Sequence, residues 1–429
     1  MGFRAILRGV QRFGHFLFSV GLVLSFLTMA MPRVLINSYL VGVTVLGWLL
    51  MMNYGQRLLQ AFKNPLFWSV LAIYLVRLAE GVNHWGRAIF MTGLERNGIL
   101  VVGPLLLFAF PKDQAARLFR VAFVAFAAGM LLMVGKLYVN LLFGERDPNL
   151  ANRGHNLMAD VVPFNGTYFT LYLGLVALAI FIYLLKNWNT LLPYFRLLLV
   201  FIFGILVVTQ VLVAAMMPLI SFVLVCGIFF LRLGRPSFGL SKLQFHGLVS
   251  CAIIAGFALL MAIPSSRNDI MRLVEGRWEY QGMGSGKETS ISIRREIWPC
   301  AWEVFENNWA TGVGYQDMRW KLNKCYQRHE FLGWWFKYNT HNQFLHELVC
   351  YGLFGGIIFL AALGLPLFLA WRNQRHYLLA FMGLIFLCCI TENIFMQHKG
   401  AMLYGLMFPL LAMLPSSPSE TRPGFPASR

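Results

Sequence analysis

Apolar stretches about 20 residues long recur from one end of this chain to the other, each long enough to cross a bilayer core of about 30 Å as a helix. Inside that core no water can satisfy an open backbone, so such a chain folds as helices packed on helices. Counted this way there are about twelve spans. They lie near 14–31, 34–52, 65–79, 97–110, 120–142, 160–185, 197–216, 218–232, 244–263, 342–371, 377–396 and 400–414. The expected fold is all-α, a polytopic transmembrane helical bundle. The composition agrees: 58% of residues are hydrophobic and 13% charged, where a soluble protein carries about a quarter charged residues. The first span has no small-residue cleavage site, and Pro32-Arg33 leads directly into the next apolar run, so it reads as a membrane helix and not as a removable signal.

The net charge of +18 would suit a nucleic-acid binder, but no Lys/Arg-rich block or nucleic-acid fold signature accompanies it. The cations sit in alternate short loops: Arg4, Arg8 and Arg12; Arg57 and Lys63; Lys112, Arg117 and Arg120; Lys186 and Arg196; Arg232, Arg235 and Lys242; Arg372 and Arg375; Arg422 and Arg429. That alternation places both termini in the cytoplasm, and it holds only if Met216-Met217-Pro218 separates two spans. Four units follow. Residues 1–263 hold spans one to nine, and 264–341 form one large periplasmic loop. Residues 342–414 hold the last three spans, and 415–429 form a Pro/Ser-rich, disordered cytoplasmic tail.

The loop from Pro264 to Thr340 is too long for a simple connection and too aromatic for disorder. Trp298, Trp302, Phe305 and Trp309 recur at helical spacing, which predicts a short helix lying at the membrane interface. The stripe reads as an anchoring belt or, more sharply, as a wall against lipid or sugar rings. Cys300 and Cys325 share this loop and either pair, if that side is oxidising, or remain two thiols.

Several motif-like stretches carry no chemistry. "GMGSGKET" from Gly282 lacks the first glycine and the final Ser/Thr of a phosphate loop. "NGT" at Asn165 falls in an apolar span, and "HELVC" at His346 lacks the second histidine of a zinc helix. No metal site is expected. Charged residues within spans point to function by default. Lys136 lies deep in the fifth span and would pair internally or face an anionic ligand. Arg77 is near the outer end of the third, where snorkelling explains it.

Two constellations stand out. Thr340-x-x-Gln343 is a capping-box pattern, which places His341 and Asn342 in the first turn of a helix. The backbone N–H groups there favour a neutral imidazole, as a general base requires. Gly352-x-x-x-Gly356 further on suits close packing of a neighbouring helix. The second constellation is Ser290-x-x-x-Arg294-x-x-x-Trp298 followed by Gly312-Val313-Gly314-Tyr315, in which the planar fork of Arg294 suits phosphate oxygens.

On these residues the chain resembles the superfamily of O-antigen ligases and O-antigen polymerases, bacterial polytopic glycosyltransferases. Arg294 with Trp298 and Gly-Val-Gly-Tyr match its outer-loop pattern. His341-Asn342, with Gly352 nine residues on, matches its His-Asn-x9-Gly motif. "TENIFMQHKGAMLYGLMFPLL" from Thr391 resembles its closing helices, and "RGHNLMAD" from Arg153 its loop before the sixth span. Many members carry Ser-Arg-Gly near the outer end of the seventh span. The corresponding stretch here, "TQVLVAAMMPLISF", has no arginine. If that arginine helps hold a pyrophosphate, Lys136, Arg146 or Arg153 must substitute.

The resemblance implies transfer of a glycan from undecaprenyl pyrophosphate, at the periplasmic face of the bacterial inner membrane. A ligase gives it to a hydroxyl of lipid A–core in lipopolysaccharide biosynthesis; a polymerase gives it to another lipid-linked glycan. The His-Asn motif favours the ligase. By this reading His341 is the base and Arg294 serves the leaving group. Arg295, Asn342, Tyr315, Lys136, Arg146 and Arg153 contact substrate. No cofactor is expected, since pyrophosphate is already a leaving group. A lipid-linked glycan flippase is the alternative from another class, but it would not need a base and a cation on one outer loop.

Overall fold

A computed structural model describes residues 3–31, 34–80, 88–143, 165–213, 215–234 and 290–414, with scattered positions between 238 and 271. Among these residues the structure is all-helical. The helices are α1 (Phe3–Thr28), α2 (Val34–Leu50), α3 (Tyr54–Phe62), α4 (Pro65–Ala79), α5 (Ala88–Asn97), α6 (Ile99–Leu107), α7 (Lys112–Phe143), α8 (Gly166–Asn187), α9 (Pro193–Val213) and α10 (Met216–Phe229). After the gap come α11 (Ser290–Glu306), α12 (Gly314–Arg328), α13 (Gly333–Phe336), α14 (Gln343–Arg372), α15 (His376–Cys389) and α16 (His398–Met413).

Among the described residues six helices are long and apolar enough to cross a membrane, or seven if α2 and α3, bent by 117°, make one span. Twelve spans are not confirmed by these helices, and several of the expected spans are short where they are described. Helices α4 and α15 have 15 and 14 residues, about 22 Å at 1.5 Å per residue. Helix α6 has nine residues and α16 sixteen. The apolar run 377–396 ends as helix at Cys389 and continues as an irregular segment to Gln397. The expected ninth span (244–263) lies largely outside the described residues, as do Arg146, Arg153, "RGHNLMAD", "GMGSGKET" and the tail. The disputed pair is two helices, α9 and α10, each packed on α8, with the break at Ala215 and Pro218 in the first turn of α10.

Two apolar cores follow from this arrangement. The larger joins the bundle helices, with α16 buried along its whole length. Where α16 crosses α6, a Cβ on Gly103 would lie 2.2 Å from the carbonyl oxygen of Gly405, so only glycine allows that approach. The smaller core lies among α11, α12 and the first turns of α14, with Ile297, Leu322, Tyr326 and Val349 at its centre. A disulfide between Cys300 and Cys325 ties α11 to α12 across it. The aromatic stripe is split by this packing. Phe305 is buried and Trp298 partly so, while Trp302 and Trp309 are exposed. Helix α11 therefore packs on α12 and α14 instead of lying flat with all four rings on one surface.

Arg77, at the end of α4, does not snorkel. It is buried, and its guanidinium donates to the Glu347 carboxylate on α14 at 2.7 Å and to the Asn97 side chain on α5. Gln343 donates to the same Glu347 oxygen at 2.7 Å. This buried pair pins α14 to α4 and α5. Glu347→Ala would leave a buried guanidinium without its counter-charge, at a cost of about 3–5 kcal/mol. A marked fall in thermal midpoint of the detergent-purified protein is expected; an unchanged midpoint would contradict the pairing.

Helix α14 is interrupted at Gly352, which has φ 64° and ψ −166°. Into this break docks the Gly312-Val313-Gly314 turn. Val313 N–H donates to the Val349 carbonyl at 2.9 Å, and Leu353 N–H donates to the Trp309 carbonyl at 2.8 Å. Gly352 thus serves loop docking, and a Cβ on Gly356 would meet only Leu348 of the same helix, so the two glycines do not form the expected helix-packing face. Gly352→Ala places a Cβ 2.4 Å from the Ala310 carbonyl oxygen at a positive φ, which costs about 1–3 kcal/mol for the backbone alone. Reduced thermal stability and faster proteolysis of the 290–340 segment are expected; wild-type behaviour would show that the docking is not needed.

Candidate active site

The irregular segments before α14 and before α16 face each other, and their backbone groups are satisfied by each other's side chains. Asn393 is the centre of this arrangement. Its side-chain oxygen accepts from Asn342 N–H at 2.9 Å and from the Thr340 hydroxyl at 3.1 Å. Its own carbonyl accepts from the Tyr168 hydroxyl at 3.1 Å. Gln343 Oε1 accepts from Phe395 N–H at 2.9 Å, and the Trp298 indole donates to the Thr340 carbonyl at 3.1 Å.

The helix start differs from the capping-box expectation. Thr340 is engaged with Asn393 and with the Asn342 carbonyl, so it cannot cap. Asn342 is the N-cap: its side chain accepts from Leu345 N–H at 3.0 Å. Its role is to shape the backbone beside His341, and its side-chain oxygen is committed to that. His341 therefore precedes the helix, at φ 42°. Histidine is one of the residue types that tolerates this left-handed region, though at some strain. The Asn339 side chain holds it there by accepting from His341 N–H at 2.9 Å.

The His341 ring stands edge-on to Tyr338, with centroids 5.9 Å apart. Its Nδ1 is buried, 3.4 Å from Oε2 of Glu392, and not aligned as a hydrogen bond. The other oxygen of Glu392 accepts from Arg294 Nη2 at 2.6 Å. Arg294 also donates to the Thr391 carbonyl through Nε (3.2 Å) and Nη2 (3.0 Å). Burial pushes the Arg294 guanidinium below its ordinary pKa, and the neighbouring Glu392 carboxylate opposes that shift. Glu392 thus lies between the base and the cation proposed from sequence, one oxygen toward each.

The other sequence candidates fall elsewhere. Arg295 is exposed on α11, about 100° round the helix from Arg294. Tyr315 stands beside His346, with ring centroids 6.1 Å apart, not beside His341. Lys136, expected deep in the fifth span, lies within α7. It is exposed on α7, seven residues from that helix's end at Phe143, or about 10 Å. Sequence reasoning missed Glu392 and Asn393, and it gave Gln343 a capping role in place of its bonds to Glu347 and Phe395. The charge-in-a-span rule that selected Lys136 would also have selected Glu392.

Residues 197–360 match the model of the family described as O-antigen ligase. No curated protein matches the chain. The matched stretch takes in the docking turn, Arg294, His341 and Gly352, and ends before Glu392. Through that stretch the chain is similar to the O-antigen ligase family.

Proposed function

We propose that this protein is an O-antigen ligase. It transfers a glycan from a polyprenyl pyrophosphate donor to a sugar hydroxyl of lipid A–core, at the periplasmic face of the inner membrane, with both termini cytoplasmic. The Glu392 carboxylate set between Arg294 and His341 carries this reading. It joins a base and a cation at the mouth of a helical bundle, where two lipid-anchored substrates can meet. The Cys300–Cys325 disulfide supports an oxidising, outward-facing compartment for this segment.

In the proposed reaction His341 accepts the proton of the acceptor hydroxyl through Nε2 as that oxygen bonds to the anomeric carbon. The bond from that carbon to the pyrophosphate oxygen breaks, and pyrophosphate leaves with the electron pair. Attack opposite the leaving group inverts the centre. Glu392, against Nδ1, orients the ring and stabilises the imidazolium as it forms, as a carboxylate does for a catalytic histidine elsewhere. Arg294 holds Glu392 and Thr391. Its positive charge beside the site stabilises the departing anion.

His341→Ala should insert normally, retain the donor and lose about 10²–10⁴-fold in transfer rate. His346, buried behind Tyr315, should tolerate Gln far better. The measurement is glycan transfer in proteoliposomes at matched protein abundance, with lipid A–core or a second lipid-linked glycan as acceptor. Near-normal transfer by His341→Ala would remove the proposed base. Transfer only to the second lipid-linked glycan would make the protein a polymerase.

A further inference from the structure

Helix α3 turns sharply away from α2, by 117°, and packs on α4 and α6. Two consecutive residues at the turn, Met52 and Asn53, are left-handed, with φ 57° and 62°. Asparagine tolerates that region and methionine does so only at a cost, so the turn needs support from what surrounds it. In the angle between α2, α3 and α6 lies a cavity of about 320 Å³. Its walls are apolar and aromatic side chains, among them Val45 and Trp48 of α2, Tyr54 and Leu58 of α3 and Leu105 of α6. The one hydroxyl, on Tyr54, is turned onto the Leu49 carbonyl. Such walls suit a hydrocarbon chain and do not suit water, which needs polar partners.

Two polar groups beside this cavity are poorly satisfied. Trp48 is only 7% exposed, and its indole N–H has no acceptor among the described residues. Arg57, half-buried, lies one turn along α3 from Tyr54 and next to Leu58. Its guanidinium donates to the Met51 thioether at 3.0 Å and lies over the Phe110 ring, 5.4 Å from the centroid. A thioether is a weak acceptor, and among the described residues Arg57 meets no carboxylate.

Helix α16 sets the distance from the active site. Its start holds Lys399, which is bonded to the Met29 carbonyl and the Asn37 side chain. Its last residue, Met413, accepts through sulfur from Asn64, just beyond α3. The sixteen residues of α16 span about 24 Å. Along α2, Asn37 is likewise at the active-site end and Trp48 eleven residues on, about 16 Å away. The cavity is therefore at the opposite end of the bundle from His341 and Glu392.

We propose that this cavity binds a glycerophospholipid. One acyl chain fills the apolar space, its ester carbonyl accepts from the Trp48 indole, and the phosphate accepts from the planar fork of Arg57. The bound lipid braces the strained turn between α2 and α3. A polyprenyl chain would match the walls but brings no carbonyl for Trp48, and a neutral diacyl lipid brings no phosphate for Arg57. The proposal does not depend on the transfer reading; with the topology given above, the lipid belongs to the cytoplasmic leaflet.

The full-length protein, stripped of lipid in detergent, is titrated with phosphatidylglycerol, diacylglycerol and polyprenyl phosphate, and binding is read by native mass spectrometry. The variants are Arg57→Gln, Trp48→Phe and Val45→Phe, the last of which places a ring in the cavity. Phosphatidylglycerol should bind the wild type most tightly. Arg57→Gln should weaken it about tenfold, the loss of a charged hydrogen-bonding partner, and leave diacylglycerol unchanged. Trp48→Phe should weaken both diacyl lipids about threefold and leave polyprenyl phosphate unchanged. Val45→Phe should abolish binding of all three. Phosphatidylglycerol binding unchanged by Arg57→Gln overturns the proposal, and that variant keeps the test readable if the cavity-filling one does not fold. Polyprenyl phosphate binding as tightly as phosphatidylglycerol would make this a prenyl-chain site and overturn it equally.

Discussion

A backbone that leaves its helix inside an apolar bundle must find hydrogen-bonding partners in the protein, because lipid offers none. The segment from Ile390 to Gln397 is such a backbone, and the rest of the site follows from how it is satisfied. Arg294 reaches it from α11, Gln343 from the start of α14, and Tyr168 from α8. Each of these bonds also fixes the element it comes from. The groups that stop the chain from paying a desolvation penalty are therefore the same groups that bring Glu392, Arg294 and His341 together.

The short helices make sense in the same terms. Helices α4, α15 and α16 end or begin at the irregular layer, so they cannot each cross a membrane unaided. Their polar ends carry Arg77, Glu392 and Lys399. Lys399 shows how fully the layer is tied in: its ammonium donates to the Met29 carbonyl at 2.7 Å and the Asn37 side chain at 3.2 Å, locking α16 to the turn between α1 and α2. Buried cations with several fixed acceptors hold a single arrangement of the bundle, and a site assembled from four separate chain segments needs one.

Much of this was legible in the sequence, and the rest was not for identifiable reasons. Hydropathy located α4 and most of α8, because an apolar run bounded by polar residues has few other folds. It does not register where a helix unwinds: Thr391-Glu392-Asn393 interrupts an apolar run by only three residues. Arg294 and His341 were readable from residue chemistry and spacing. Glu392 was open to the rule that selected Lys136, as a charge within an apolar run, but its link to Arg294 and His341 was not legible, since they lie 98 and 51 positions away. The capping box misled for a similar reason. Thr340 and Gln343 have the right spacing, but both side chains are claimed by residues around Asn393. Gly352 carried a correct signal of close backbone approach, but its partner is the Gly312 turn and not another helix.

The central claim is that Glu392 acts on the reaction through His341. A double-mutant cycle on glycan transfer, using Glu392→Gln, His341→Gln and the double variant at matched abundance, tests it most directly. Residues that act as one unit are non-additive. The account predicts that the double variant transfers no more slowly than the His341→Gln single variant. Losses that multiply, with the double variant slower by the product of the two single effects, would show that Glu392 and His341 work independently and would contradict it.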